Sequence, residues 1–196
     1  MPGLARAVCV LLLVAFPVAL TVKIRAQRRT LGRSPVILGE AAGARPERWF
    51  ERLGPFGLLF WPASWLWVVL GDPPLGPAPV RLLGLALLVG GAVLTLASVF
   101  LMGRAWRIGI DPENTTLLAE EGPYRWVRHP IYSGWLLMLV GNVLVVPHPV
   151  IDVAALLTTL GVVYQARREE RHLLRTFGER YARYAARTGR FAPRPW

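Results

Sequence analysis

Six side chains able to bind or orient a polar ligand crowd into positions 124–132: Tyr124, Arg125, Trp126, Arg128, His129 and Tyr132. They belong to the stretch Gly122-Pro-Tyr-Arg-Trp-Val-Arg-His-Pro-Ile-Tyr-Ser-Gly134, which leads directly into an apolar run from Trp135 to Val146. The residue before a proline is crowded out of the α region, so His129 is expected to be extended. Pro130 suits the first turn of a helix, where its missing N–H costs nothing. Arg128 and His129 are therefore expected at a helix N-terminus, beside free amides and the positive end of the helix dipole, a place suited to an anion. The plainer alternative is that the two cations anchor a membrane helix at headgroup level. The density of hydrogen-bonding groups exceeds what an anchor needs.

A second concentration of chemistry lies in Ala166-Arg-Arg-Glu-Glu-Arg-His-Leu-Leu-Arg-Thr-Phe-Gly178. Continued as a helix, this segment puts Leu173, Phe177, Tyr181 and Tyr184 on one face, with Glu170 among them. A carboxylate on an apolar face near a membrane is costly unless paired. Either Arg167, three residues earlier, forms a structural pair with it, or Glu170 has a functional partner elsewhere. Arg171 and Arg175 fall opposite, facing solvent or headgroups.

The elements that must carry these residues are mostly apolar. The chain has 196 residues, is 54% hydrophobic and has a formal charge of +11, with a mean hydropathy of +0.40. Such apolar content beside so much arginine fits a polytopic membrane protein with basic loops. A pI near 11.3 would suggest nucleic acid in a soluble protein; here the positive-inside bias accounts for it, and no nucleic-acid partner is expected. The lone Cys9 excludes an intrachain disulfide.

The expected fold is all-α: a polytopic membrane bundle of about five helices with a cytoplasmic C-terminal helix. The expected spans are Leu4 to Val22, Leu53 to Leu70, Val80 to Met102, Pro130 to Val146, and Val150 to Ala166. Lys23 to Arg52 reads as a basic connection, partly helical from Pro46 to Leu53. The prolines and glycines of 71–79 form a non-helical turn, and Pro147-His-Pro149 turns the chain again. The connection 23–52 carries eight Lys/Arg, 103–130 four and 167–196 nine, whereas 71–79 and 147–149 carry none. This alternation puts the N-terminus outside and the 122–134 loop and tail in the cytoplasm. Residues 1–79 are read as N-terminal helices with a basic loop, and 80–196 as the functional core.

Spans four and five form an antiparallel hairpin, which brings Glu169 and Glu170 toward Arg128 and His129. Carboxylates on one wall and an anion-binding helix start on the other suit a zwitterion. The amino-acid end of S-adenosylmethionine is one such group, although geometry alone does not select it.

The chain resembles the isoprenylcysteine carboxyl methyltransferase family of membrane methyltransferases over roughly residues 80 to 192, as a member of prokaryotic type. The resemblance rests on Thr116-Leu-Leu-Ala with the 122–134 stretch, and on Glu169-Glu170 followed by Phe177-Gly-Glu-Arg-Tyr181 and Tyr184. It implies that Thr116, Leu117, Leu118, Tyr124, His129, Pro130, Ile131 and Tyr132 wrap an S-adenosylmethionine cofactor. It also implies that a glutamate of the second segment holds that cofactor. Spacing points to Glu169, the helical face to Glu170, and both stand as candidates. Family enzymes acting on prenylcysteine carry an arginine about one turn before that glutamate. Gln165 occupies the position here, with arginines displaced to Arg167 and Arg168. A neutral amide cannot replace a bidentate carboxylate clamp, so Gln165 and Arg168 are the expected acceptor-reading positions of a changed substrate site.

The implied reaction is methyl transfer to a lipid-like or small apolar acceptor bearing a carboxylate, thiol or amine. The acceptor would enter from the bilayer, and no general base is evident. The alternatives are an NADPH-dependent membrane reductase of the sterol-reductase type and a non-catalytic membrane binding protein. His129, His148 and His172 are too scattered for a metal site. Asp111, Glu113, Glu120 and Glu121 are expected to solvate and cap, and Gly84, Gly90 and Gly91 to pack helices. Asn114-Thr-Thr116 fits a glycosylation sequon, on a side where modification is not expected.

Overall fold

The computed structural model describes residues 2–32, 34–35, 62–106 and 117–194. Thr116, the 114–116 sequon and the expected surface helix at Pro46 to Leu53 lie outside them. The described residues contain helices and no strand. Helix α1 runs Pro2–Leu31 and α2 covers 62–70. Helix α3 spans Ala78–Leu101, α4 Pro130–Val145, α5 Pro149–Phe177 and α6 Glu179–Arg187.

One expected boundary is corrected. Helix α1 does not stop at Val22 but continues to Leu31, because arginine, lysine and glutamine sustain a helix beyond the apolar run. Helix α5 continues past Ala166 to Phe177, as expected, and then breaks at Gly178, whose φ of 52° is a conformation open mainly to glycine. The helical face expected to run from Glu170 through Tyr184 is therefore interrupted, and α6 presents its tyrosines from a new direction.

Helices α3 and α4 pack antiparallel along their lengths, more extensively than any other described pair. Their seam is made of paired glycines. A Cβ at Gly91 would lie 2.5 Å from the Gly134 carbonyl oxygen, and one at Gly141 would lie 2.6 Å from that of Gly84. Backbone approach this close is the usual device of membrane helix pairs, because lipid supplies no hydrophobic drive between helices. Gly90, expected to join them, faces open space. The core on the inner side gathers Cys9, Trp65, Leu88, Met138 and Val145. Within it, Asn142 and Ser64 satisfy each other at 3.0 Å.

Helices α1, α3 and α5 are long and apolar enough to cross a bilayer; α4, with 16 residues, is apolar but shorter. Helix α5 leaves Val153, Leu156, Leu157 and Leu160 more than half exposed, and α1 does the same with Leu11, Val14 and Val18. Such contiguous apolar surface belongs against lipid. The protein is an integral membrane protein.

Gly91→Ala should lower stability by about 1–3 kcal/mol through overpacking against fixed backbone. Gly90→Ala should leave it unchanged or slightly raised, as glycine is a poor helix former. Thermal unfolding in detergent separates the two; equal melting temperatures would remove the seam from the account.

Candidate functional site

The polar stretch enters through a 3-10 turn, Gly122–Arg125, opened by Gly122 at φ 58°. Tyr124 drops into the packing, its hydroxyl 3.4 Å from Met102 Sδ, while its carbonyl accepts from the Tyr184 hydroxyl at 2.8 Å. His129 follows at the N-cap of α4 with φ −125° and ψ 61°, out of the α region as the proline requires but short of the extended conformation expected, and Pro130 occupies the first turn.

Two amides just ahead of the helix are taken by the tail. Residues 188–191 lie alongside this stretch, with Val127 and Gly189 forming a parallel bridge. The Arg128 amide donates to the Gly189 carbonyl at 2.8 Å and the His129 amide to that of Arg190 at 3.1 Å. Gly189 donates back to Trp126. The Ser133 hydroxyl donates to the Phe191 carbonyl at 2.7 Å. Gly189 is needed, since a Cβ there would collide with the Ala192 carbonyl. Buried donors must be paired, and the tail satisfies these before any ligand arrives.

The hairpin brings the two glutamates to His129 as expected, but into different surroundings. Glu170 is gripped by cations: Arg128 Nε at 2.9 Å, Arg190 Nη2 at 2.6 Å and Nε at 3.0 Å. Arg128 also donates to the carbonyls of Ala185 and Thr188, joining the end of α6 to the same knot. The alternative of a local Glu170–Arg167 pair gives way to these longer-range partners, and Arg167 is exposed. Glu169 accepts from neutral groups, the Tyr132 hydroxyl at 2.5 Å and the Gln165 amide at 3.1 Å.

His129 lies between the two, Nδ1 at 3.5 Å from Glu169 and Nε2 at 3.4 Å from Glu170. The Nε2 contact has ion-pair range without hydrogen-bond geometry, so this buried nitrogen has no hydrogen-bond partner among the described residues. The Tyr132 ring stacks on the imidazole with centroids 5.5 Å apart. Burial disfavours the imidazolium, but the two carboxylates beside it outweigh that and raise the pKa above the usual 6.5.

Of the candidate site residues, His129, Tyr132, Gln165, Glu169 and Glu170 are brought together. Pro130 and Ile131 form the adjoining first turn of α4, and Ile131 contributes its carbonyl to Thr95. Leu117 and Leu118 lead into the 3-10 turn, Leu117 being exposed. Arg168 is buried and has a partner. Glu120, expected to solvate or cap, instead holds Arg180 and Arg187 of α6. Sequence reading missed Arg190 and Phe191, whose only local signal was the glycine before them in a basic tail. Beyond Phe191 opens an apolar groove of about 280 Å³, lined by Leu94, Val127, Leu136, Leu137 and Val140 among others.

The profile of the phospholipid methyltransferase family matches residues 80–180. Protein-S-isoprenylcysteine O-methyltransferase B of Arabidopsis thaliana is 32% identical over 107 residues, 53% of this chain and 54% of that protein. A probable protein-S-isoprenylcysteine O-methyltransferase of Oryza sativa subsp. indica is 34% identical over 110 residues, 54% of this chain and 57% of its own length. The chain thus spans about half the length of the curated relatives it matches. The solved eukaryotic intramembrane Ras methyltransferase, an isoprenylcysteine carboxyl methyltransferase, superposes with a TM-score of 0.58 at 18% identity. The match covers 98% of this chain and 73% of that one, a likeness of fold.

Because the folded His129 keeps its proton to higher pH, its contribution to stability is complete below the unfolded value. It fades as the pH rises through the raised folded value. Melting temperature in detergent should therefore fall as the pH rises above about 6.5, and His129→Gln should flatten that slope. A wild-type slope unchanged by the substitution would assign the titration to another group.

Proposed function

Because the chain belongs to the phospholipid methyltransferase family, we propose that it is an integral membrane S-adenosylmethionine-dependent methyltransferase. The observation that carries the reading is the unequal state of the two glutamates. Glu170 is held by both Arg128 and Arg190, whereas Glu169 meets no arginine: it has two neutral donors, a longer contact to His129 at 3.5 Å and a partly exposed side chain. A carboxylate in that state has capacity for an ammonium group. The unbonded His129 Nε2 offers a donor to an anionic oxygen that displaces its long contact to Glu170. An amino-acid zwitterion needs such a pair of opposite charges, and the donor set fits it.

Glu169 is thereby the residue proposed to hold the cofactor, and Glu170 is not. The carry-over from the family assigns Thr116, Leu117, Leu118, Tyr124, His129, Pro130, Ile131 and Tyr132 to the remainder of the cofactor's surroundings. S-adenosylmethionine supplies an activated methyl group when bound. The chain's own residues then have to orient the reactants and exclude water. Tyr132 fixes Glu169 through its hydroxyl and stacks on His129, so the carboxylate and the imidazole are set by one ring.

The acceptor is a lipid-like or small apolar molecule carrying a carboxylate, thiol or amine, for which the groove beyond Phe191 is suitably apolar. Gln165 spends its amide on Glu169 and offers no bidentate clamp for a carboxylate. The core is assigned to 80–196, with 1–79 supplying flanking helices. The arginine distribution orients the N-terminus outside and the cofactor loop and tail in the cytoplasm.

Calorimetric titration of detergent-purified protein with S-adenosylhomocysteine should reveal binding, which Glu169→Gln should weaken by about 10-fold or more. Absence of binding to the wild type would sink the methyltransferase reading; NADPH binding instead would favour a reductase. A reporter fused after residue 194 should appear in the cytoplasm, and an external signal would invert the orientation.

A further inference from the structure

Arg190 lies in the segment that runs alongside the start of α4, and its guanidinium is committed to Glu170 by two hydrogen bonds, at 2.6 and 3.0 Å. The same segment takes the amides of Arg128 and His129 and the hydroxyl of Ser133 on its carbonyls. Phe191 then contacts the His129 ring at 6.1 Å and lines the apolar groove. One short strap thus touches the ionic cluster, the start of α4 and the groove.

We propose that residues 188–191 form a strap, tied down by Arg190 on Glu170, which positions His129 and Glu169 for the cofactor. Arg190 and Glu170 are positioning residues; neither has to touch the ligand. The inference rests on the proposed cofactor site and goes beyond it, since that reading requires only Glu169 and His129.

The geometry explains why a carboxylate is needed at Glu170. The strap carries the third cation of a cluster whose others are Arg128 and His129. Without Glu170, three positive groups would face one another in a partly buried space, at a cost that pairing removes. With it, Arg128 is turned so that its Nη1 also caps the last carbonyls of α6. His129 is held by its own amide on the strap, so its ring is fixed from the backbone side. A fork-shaped donor suits this role, because two parallel bonds set an orientation that a single ammonium cannot.

Two readouts test the strap. In the absence of any ligand, limited trypsin digestion of detergent-purified protein should leave the Arg187–Thr188 bond intact in the wild type and in Glu169→Gln. It should cut that bond readily in Glu170→Gln. In the second, Arg190→Gln should weaken S-adenosylhomocysteine binding about 10-fold, the scale of one charge-assisted interaction. Arg190→Lys should recover part of that loss, which distinguishes a tethering charge from general unfolding. Equal protection in Glu170→Gln and wild type would overturn the strap, as would unaltered binding in Arg190→Gln. If the wild type binds no S-adenosylhomocysteine, the cofactor reading fails on its own, while the digestion still decides whether the strap is tied by Glu170.

Discussion

A charged group taken out of water must be repaid by partners, and the repayment of Glu170 organises the polar end of this molecule. Its carboxylate lies on α5, its partners on the start of α4 and on the tail. Because one partner, Arg128, also reaches the end of α6, four segments are fixed by satisfying a single anion. Partial satisfaction would cost more than an apolar substitute. The arrangement therefore specifies geometry strongly, whatever its net contribution to stability.

The apolar end works on another principle. The seam of α3 and α4 has no charges to satisfy and achieves its register through absent side chains. Gly84 meets Gly141 and Gly91 meets Gly134, so a shift by a turn would set side chains against backbone. The seam positions the first turn of α4, where Pro130 and His129 stand. Functional groups at the polar end thus inherit their placement from close packing some turns away, as an enzyme site on rigid helices requires.

What could be read from residues was whatever has a local cause. Pro130 before an apolar run announces a helix start, Pro147-His-Pro149 announces a hairpin, and the hairpin puts the glutamates beside His129. These elements appear in the structure at those residues. What could not be read has a distant cause. The pairing of the tail with Arg128 and His129 leaves no local mark: the acceptors of their amides lie some sixty residues on, at Gly189 and Arg190. Periodicity passed through Gly178 because one glycine barely alters a hydrophobic pattern, although it can redirect the backbone. Choosing between Glu169 and Glu170 needed the tail in place, since the two differ in partners and not in residue type.

The separations within the ionic knot also bear on how the molecule assembles. Arg128 and Glu170 are 42 residues apart, and Arg128 reaches carbonyls up to 60 residues away. Contacts that close large loops form late, after nearer ones have lowered their entropic cost. The α4–α5 hairpin, joined only by the short turn between Val145 and Pro149, precedes them. Until the tail docks, Arg128 and Glu170 lack part of their partners at the polar end. Aggregation or proteolytic capture of newly made chains should begin there, and substitutions in the tail should reduce the yield of mature protein before they alter its final architecture.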